Sequence, residues 1–290
     1  MHVNLAEPVI WPEEGSLLGG GEQPIYRVGR LIHRAESAQI YAASNEFGRP
    51  LALKVYRPQP MQGESPEVQW RREQQMLALV PHPQVLRLHD AFSCGNLLYL
   101  ALEAADANLE GWVNRHGPLG EPGVRELARQ LLEGLHAIHS RGIVHLDLSP
   151  VNVLVQAPAI GAASPRFKIA DFGISVLLSE GVQLSRPTDH WAHLPPELLQ
   201  PGSRSPTPLC DLYGLGLTLL LALRGSIPLS NALPLAVVER QVLEGVASQL
   251  AAELKPPLGL FIATLLQVRP EDRYGSALEA WRVLRDLDLG

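Results

Sequence analysis

The sequence is poor in lysine, in cysteine and in long apolar runs, and each shortage excludes a class of protein. Only three of its 24 basic residues are lysines. The 30 acidic residues leave a net charge of −6, so the chain lacks the basic excess that is typical of proteins that bind nucleic acid or anionic membranes. The two cysteines, Cys94 and Cys210, fit neither a metal-ligand spacing nor a disulfide framework, which indicates a reducing, cytoplasmic compartment. The most apolar run, residues 212–223, is too short to span a bilayer, and no secretory signal pattern is found.

Residues 1–25 are rich in glycine, proline and glutamate and are interpreted as an N-terminal leader. Within it, residues 19–21 (GGG) are interpreted as a linker, because their spacing does not fit a phosphate-binding loop and no strand is expected before them. An apolar patch at residues 9–11 leaves two alternatives open: it docks on the part of the chain that follows, or it is disordered.

Strand patterns dominate residues 26–105, and helical patterns dominate residues 106–290. A β-rich segment followed by a helical segment predicts an α+β fold with two lobes. In the first segment, strands are predicted at 26–32, 39–43, 51–56, 85–89 and 97–102, with one helix at 67–80. In the second, helices are predicted at 109–114, 124–141, 210–223, 235–251, 258–268 and 276–287, with short strands at 153–156 and 167–170.

A polar stretch between two apolar runs, residues 145–152 (HLDLSPVN), carries the candidate chemistry. Phosphoryl transfer needs a carboxylate that orients the attacking hydroxyl and accepts its proton, and it needs an oxygen ligand for magnesium. Asp147 and Asn152 can fill these two roles. The alternative is an ordinary turn in which both side chains form local caps, so this stretch needs support from other motifs.

Support comes from Asp171-Phe172-Gly173, which follows an apolar strand nineteen residues after Asn152. The two motifs together resemble the catalytic loop and the magnesium-binding motif of protein kinases. From about residue 26 to residue 287, the chain resembles a eukaryotic-like (Hanks-type) serine/threonine protein kinase domain, a bilobal fold with a small β-rich N-lobe and a larger helical C-lobe. The resemblance implies an N-lobe at residues 26–105, a C-lobe at residues 106–290, ATP and Mg²⁺ as cofactors, and a protein as substrate.

Residues 51–54 (LALK) resemble the third strand of the N-lobe, whose lysine contacts the α- and β-phosphates of ATP. Lys54 would be this lysine, and Glu73 in the following helix would be its partner. The alternative is that Arg71 and Arg72 hold Glu73 in a surface pair of little energetic value. The resemblance gives catalytic roles to Asp147, Lys54 and Glu73, and metal-binding roles to Asn152 and Asp171.

Other positions resemble structural features of the family. Glu197, in a Pro-Pro-Glu sequence, would pair with Arg273, and Asp211 would brace the backbone of the catalytic loop. The resemblance also places residues around the nucleotide. These are Ile40, Ala52 and Leu154 around the adenine ring, Leu102 at the back of the pocket, and backbone groups of Glu103 and Ala105 at the adenine edge.

The glycine-rich loop of the family is missing, because residues 33–38 (HRAESA) contain no glycine. Glycines at this loop let backbone N–H groups approach the phosphates closely, so their loss puts phosphate affinity and rate in doubt. Side-chain contacts from His33, Arg34 or Ser37 are an alternative source of phosphate binding.

Two charges of the usual catalytic loop are also missing. Leu146 replaces the arginine that normally pairs with a phosphorylated activation segment, and Ser149 replaces a lysine that contacts the γ-phosphate. We therefore expect an activity that does not depend on phosphorylation of the activation segment, at Ser175, Ser179, Ser185 or Thr188.

Three functions fit these motifs. The preferred one is an active kinase that transfers the γ-phosphate of ATP to Ser or Thr hydroxyls of a protein. The missing glycines and Ser149 favour the alternative of a pseudokinase, which binds nucleotide weakly or serves as a scaffold. A small-molecule kinase of the aminoglycoside-phosphotransferase type shares the His-x-Asp-x-x-x-x-Asn loop, but it normally lacks the motifs around Glu197, Asp211 and Arg273. The sequence leaves the oligomeric state open.

Overall fold

The computed structural model describes residues 10–20, 23–35, 38–58, 64–158, 164–180, 194–199, 205–227, 229 and 233–287. The chain divides into two compact units. Unit 1 comprises Met1–Ala78 and Arg87–Ala104, and unit 2 comprises Leu79–Leu86 and Ala105–Gly290. Unit 1 is rich in strands and unit 2 in helices, which is the α+β class that the sequence predicts.

In its described residues, unit 1 is an antiparallel sheet with one helix. Its strands are β1 (Leu17–Gly20), β2 (Gln23–Arg34), β3 (Ala38–Asn45), β4 (Pro50–Tyr56), β5 (Leu88–Cys94) and β6 (Leu97–Glu103), and its helix is α1 (Pro66–Leu79). The strands are hydrogen-bonded in the order β1-β2-β3-β4-β6-β5.

Side chains alternate between the two faces of this sheet, as the period of a strand requires. In β4, Leu53 and Val55 belong to a buried apolar cluster that includes residues of β2, β3 and β6. The alternate side chains of β4, Lys54 and Tyr56, lie on the opposite face and contact α1 through Glu73. We call the face that carries Lys54 the inner face.

Aromatic rings join strands that are far apart in the sheet order. The Tyr26 ring in β2 stacks on Phe92 in β5 with centroids 5.2 Å apart, and Phe92 stacks on Tyr99 in β6 at 4.9 Å. The Tyr26 hydroxyl also donates to Asp90 Oδ2 at 3.0 Å. Three strands separate β2 from β5 in the hydrogen-bonded order, so these contacts require the sheet to curl.

Part of the predicted leader belongs to the sheet. β1 pairs with β2, with Leu18 opposite Tyr26. Gly19 has a φ of 86°, and a Cβ there would collide with the Pro24 carbonyl oxygen. The linker interpretation of Gly19 and Gly20 is therefore wrong, because both glycines belong to a strand that pairs with β2, while Gly21 lies outside the described residues. Trp11 packs against the buried cluster of unit 1, which confirms docking for that residue of the patch, while Val9 lies outside the described residues.

The part of unit 2 that the structure describes is mainly helical, with two small sheets. Its strands are β7 (Ala107–Asn108), β8 (Ile143–Val144), β9 (Val153–Gln156), β10 (Arg166–Ile169) and β11 (Val176–Leu177). Its α-helices are α2 (Leu109–His116), α3 (Glu121–His139), α4 (Pro196–Leu199), α5 (Pro208–Arg224), α6 (Leu235–Leu243), α7 (Val246–Ala252), α8 (Leu258–Leu265) and α9 (Ala277–Leu287), with 3₁₀ turns at Leu178–Glu180 and Pro270–Asp272. The sheets have the orders β10-β9-β7 and β11-β8.

Helix α5 is the centre of unit 2. Every residue from Cys210 to Ala222 is buried, which explains why the most apolar run of the sequence lies here. A helix that is apolar on all sides is expected in the core of a large unit. Within the described ranges, no helix combines the length and apolar character that a bilayer span needs.

The single helix predicted for residues 235–251 is wrong. Two helices, α6 and α7, occupy this range, and Gly245 stands between them with a φ of 70°. A left-handed residue cannot continue a right-handed helix, and glycine adopts this conformation at little cost. The apolar periodicity continues through the break, which is why the pattern alone misses it.

Candidate active site

Strand β4 and helix α1 bring Lys54 and Glu73 together. Lys54 Nζ lies 2.8 Å from Glu73 Oε2, and both residues are buried. The Tyr56 hydroxyl donates to the same carboxylate oxygen. Two donors on one buried carboxylate hold the Glu73 side chain in place, and the carboxylate in turn positions the Lys54 ammonium group. No motif in the sequence marks Tyr56, although its place two residues after Lys54 in a strand predicts the same face.

The alternative for Glu73, a surface pair with neighbouring arginines, is wrong. Arg71 pairs with Glu67 at 2.7 Å, and Arg72 pairs with Glu64. Glu73 itself is only 1% exposed, so it faces the interior of unit 1 and not solvent.

Residues predicted to contact the nucleotide share the inner face of the sheet. Ile40 lies directly opposite Lys54 in the β3–β4 pair, and Ala52 lies opposite Leu102 in the β4–β6 pair. Directly opposed residues of an antiparallel pair point to the same face. At the end of β6, the Glu103 N–H donates to the Arg87 carbonyl at 2.9 Å.

Two of the predicted nucleotide residues belong to unit 2. Leu154 lies in β9, opposite Lys168 of β10, and is partly exposed. Ala105 is the first residue of the second segment of unit 2 and is also partly exposed. Their contacts with a nucleotide stay predictions.

The predicted catalytic loop is held at its start by Asp211 from helix α5. Asp211 Oδ2 accepts from the His145 N–H and Oδ1 accepts from the Leu146 N–H, both at 2.8 Å, which confirms the bracing role predicted for this residue. His139 Nε2, at the end of α3, lies 2.8 Å from Asp211 Oδ2. The role of His139 is not visible in the sequence, because 72 residues separate it from its partner.

Within the loop, Asn152 holds Asp147. The Asn152 Nδ2 group donates to the Asp147 carbonyl at 2.9 Å and to its Oδ2 at 2.8 Å. The Asn152 N–H donates to the Ser149 carbonyl at 3.0 Å and closes the turn. The two side chains thus form more than the local caps of an ordinary turn, because they bind each other and keep one carboxylate in a defined orientation.

A backbone hydrogen bond of the preceding residue holds Asp171 next to this loop. The N–H of Ala170 donates to the Asn152 carbonyl at 2.9 Å. Asp171 has a φ of 65°, unusual for a residue with a side chain, and its Oδ1 accepts from the Gly173 N–H at 3.2 Å. A residue other than glycine in the left-handed conformation costs about 1–2 kcal/mol, and such residues concentrate at functional sites.

These residues fit a magnesium ion. Because the Asn152 Nδ2 group is engaged by Asp147, the remaining polar atom of its amide is an oxygen, and Asp171 supplies a carboxylate. Mg²⁺ usually takes one or two protein carboxylates, water and substrate phosphates, and it seldom has a full protein cage. The described residues contain no cluster of three or more His, Cys, Asp or Glu side chains suited to a metal.

His145, the first residue of the loop, is fully buried, and its side chain is a neutral imidazole. Its Nε2 lies 3.1 Å from the Ala170 carbonyl, and the Asp147 N–H donates to its Nδ1 at 3.3 Å. A carbonyl can only accept and an N–H can only donate, so Nε2 carries the proton. Burial lowers the pKa of His145. The ring also meets Phe172 edge-on at 4.7 Å, which places the aspartate motif directly against the catalytic loop.

Leu146 fills an apolar cluster. It is 7% exposed and belongs to the same cluster as Val176 in β11 and Leu198 in α4. Val176 pairs with Val144 of β8, and the Ser175 hydroxyl donates to the His145 carbonyl at 3.0 Å. The residue that replaces the usual arginine thus joins the catalytic loop to the segment after Asp171 by apolar contacts.

Glu197 and Arg273 form the predicted buried pair. The guanidinium binds both carboxylate oxygens, at 2.9 and 2.8 Å, and the two side chains are at most 6% exposed. The Cys210 thiol donates to Glu197 Oε1 at 3.4 Å, and burial raises the pKa of this thiol, so the thiol stays protonated.

The predicted sites at Ser37, Ser185 and Thr188 lie outside the described residues.

Comparison with known proteins agrees with this geometry. The family model for the protein kinase domain matches residues 26–283. CBL-interacting protein kinase 8 of Oryza sativa subsp. japonica is 31% identical over 206 residues, which are 70% of this chain and 45% of that protein. Two bacterial proteins are each 28% identical. The one named Probable serine/threonine-protein kinase PknB, of Lactococcus lactis, matches over 77% of this chain and 35% of its own length.

The second, named Probable serine/threonine-protein kinase pknA2, is from Bifidobacterium longum and matches over 281 residues, which are 91% of this chain and 36% of that protein. The chain therefore spans less than half the length of these relatives. The family match covers most of the chain and includes the pairs Lys54–Glu73, Asp147–Asn152 and Glu197–Arg273. The chain belongs to the protein kinase domain family.

Proposed function

We propose that this chain is an active protein kinase that uses ATP and Mg²⁺ to phosphorylate Ser or Thr hydroxyls of a protein substrate in the cytoplasm. Family membership and the serine/threonine kinases among its relatives support the reaction class. The observation that carries the proposal is the buried pair between Lys54 and Glu73, since a kinase needs this pair in place for phosphoryl transfer.

In this proposal each side chain has one task. Lys54, held by Glu73, contacts the α- and β-phosphates. Asp147, oriented by Asn152, aligns the substrate hydroxyl and accepts its proton. Asn152 and Asp171 hold the metal, which neutralises charge on the phosphates when it is bound. The proposed nucleotide contacts are Ile40, Ala52, Leu102, Glu103, Ala105 and Leu154.

The proposed activity does not depend on phosphorylation of the activation segment. A phosphate on that segment normally orders it by pairing with an arginine of the catalytic loop. Here Leu146 occupies that position, and apolar contacts and the β8–β11 pair hold the start of the segment instead. Ser175 is fully buried, with its hydroxyl bonded to the His145 carbonyl, so it is a poor phosphorylation site.

A pseudokinase is the second candidate. It is favoured by the absence of glycine from residues 33–38 and by Ser149, which supplies no cation for the γ-phosphate. A pseudokinase would bind ATP weakly or not at all and would transfer no phosphate.

Incubation with γ-labelled ATP, Mg²⁺ and a general Ser/Thr substrate protein separates the two functions. We expect label on the substrate with the wild type, and a loss of at least about a hundredfold with Asp147→Asn, because general-base catalysis is worth that much. Asp171→Ala should also abolish transfer, while Glu67→Ala, on the exposed face of α1, should leave it unchanged. Label incorporation that survives both active-site changes would refute the proposed kinase. A rise in melting temperature with ATP but no transfer would establish the pseudokinase.

The same assay tests independence from phosphorylation. Treatment of the wild type with a protein phosphatase, followed by removal of the phosphatase, should leave the rate unchanged. A loss of activity after this treatment would show that a phosphorylated residue is required.

A further inference from the structure

The hairpin β2–β3 replaces the glycine-rich loop, and its register assigns each side chain to a face. His33 lies directly opposite Ile40, and Ile40 lies directly opposite Lys54. The register of β2 shifts by one residue between Leu31 and His33, and beyond this irregularity opposed residues share a face, so His33 lies on the inner face with Lys54. The His33 side chain is exposed, while Lys54 is buried against Glu73.

The neighbouring Arg34 lies on the other face. It is opposite Gln39, and Gln39 shares its face with Tyr41, whose hydroxyl donates to the Gln39 side chain at 2.6 Å. The Arg34 charge acts on Tyr41, which agrees with this placement. Of the two described side chains that could replace glycine contacts, the register therefore favours His33 over Arg34.

The backbone at the end of the hairpin is engaged within the hairpin. The Ala35 N–H donates to the Ala38 carbonyl at 2.9 Å. Ala38 lies two residues before Ile40 on the inner face and is buried, so its methyl group adds bulk where the family usually has glycine. Close approach of a phosphate to this backbone is therefore hindered, and a side-chain donor gains importance.

We propose that the His33 imidazole donates a hydrogen bond to a phosphate oxygen of the bound nucleotide and so replaces contacts that a glycine-rich loop supplies. This inference rests on the proposed ATP-dependent function. Adjacent strands are about 4.8 Å apart, so the backbones of His33 and Lys54 are separated by roughly 10 Å. Two extended side chains can bind different phosphates of one triphosphate chain across this distance.

Direct binding measurements with three variants test the role of His33. Isothermal titration of the full chain gives dissociation constants for ATP, ADP and adenosine. His33→Ala is expected to weaken ATP and ADP binding about tenfold or more, the value of a hydrogen bond to a charged group, and to leave adenosine binding unchanged. His33→Gln, which keeps an N–H donor, should retain most of the ATP affinity.

Arg34→Ala is the matched control, because it removes a side chain next to His33 on the opposite face. It should change the ATP dissociation constant by less than about twofold, and melting curves should show that all variants fold. Equal effects of His33→Ala and Arg34→Ala, or an equal loss for ATP and adenosine, would overturn the inference.

Failure of the inference and failure of the proposed function give different results. If the wild type binds ATP and His33→Ala binds it equally well, the role of His33 is refuted and the kinase proposal stands. If the wild type binds ATP through His33 but transfers no phosphate, catalysis is refuted and the role of His33 stands. If the wild type binds no ATP, both are refuted.

Discussion

Replacing Leu146 by arginine, the residue that the family usually has at this position, is expected to destabilise unit 2 by at least about 3 kcal/mol. The native residue is 7% exposed in an apolar cluster, and truncating a leucine in such a place costs about 2–5 kcal/mol. An arginine would lose the same contacts and would also place a charge among Val144, Val176 and Leu198. A buried charge without a partner is strongly unfavourable, so the two costs add.

Urea unfolding of the purified chain measures this loss. Leu146→Met, which conserves volume, should cost less than about 1.5 kcal/mol, and Leu146→Ala about 2–5 kcal/mol. Val151→Arg is the matched control for the charge, since Val151 lies in the same loop and is 36% exposed, and it should change stability by less than about 0.5 kcal/mol.

The backbone of Leu146 gives a second check. Its φ of 68° is costly for a residue with a Cβ, so Leu146→Gly should be no less stable than Leu146→Ala, although glycine usually destabilises. If Leu146→Arg is as stable as Val151→Arg, the position tolerates a cation and the explanation by apolar contacts is wrong.

Two further predictions concern unit 2. Arg273→Ala should lower the free energy of unfolding by about 3–5 kcal/mol, because it leaves the buried Glu197 without its partner, whereas Arg285→Ala, which removes an exposed pair with Asp286, should cost less than about 1 kcal/mol. Equal costs in urea would contradict the buried-pair interpretation. Burial lowers the pKa of His145, so below about pH 6.5 the unfolded chain binds a proton that the folded chain excludes. Stability should therefore fall as the pH drops, by up to about 1.4 kcal/mol per pH unit from this group, and urea titrations between about pH 7 and about pH 5 should show a smaller slope for His145→Gln. An equal slope in the variant would refute this.

The sequence predicts most of the fold because its apolar residues recur at clear periods. The helix at 67–80 is found as Pro66–Leu79, and the strand at 153–156 is found as Val153–Gln156. The strand predicted at 85–89 is found further along the chain, as Leu88–Cys94. Two other errors occur where one glycine decides the backbone. Gly245 splits an apolar pattern that continues across it. Gly19 adopts a positive φ and lies close to the Pro24 carbonyl in a paired strand, where composition alone indicates a linker.

In the candidate site, the sequence predicts contacts that follow from a motif or from strand period. The pairs Lys54–Glu73 and Glu197–Arg273 are of this kind. It does not predict His139 on Asp211, because that contact depends on how two distant helices pack. From the sequence alone, Leu146 is interpreted only as a missing arginine, because the apolar cluster around this position is seen only in the folded structure.

The ring stack of Tyr26, Phe92 and Tyr99 constrains the order in which unit 1 folds. The hydrogen bond from Tyr26 to Asp90 links positions 64 residues apart, so a long loop must close before it forms. The hairpins β2–β3 and β3–β4 need only short loops and can form earlier. We therefore expect the contact of β2 with β5 to form late and to couple two strands that three others separate in the sheet order. Loss of the Tyr26 ring should then speed unfolding more than it slows folding.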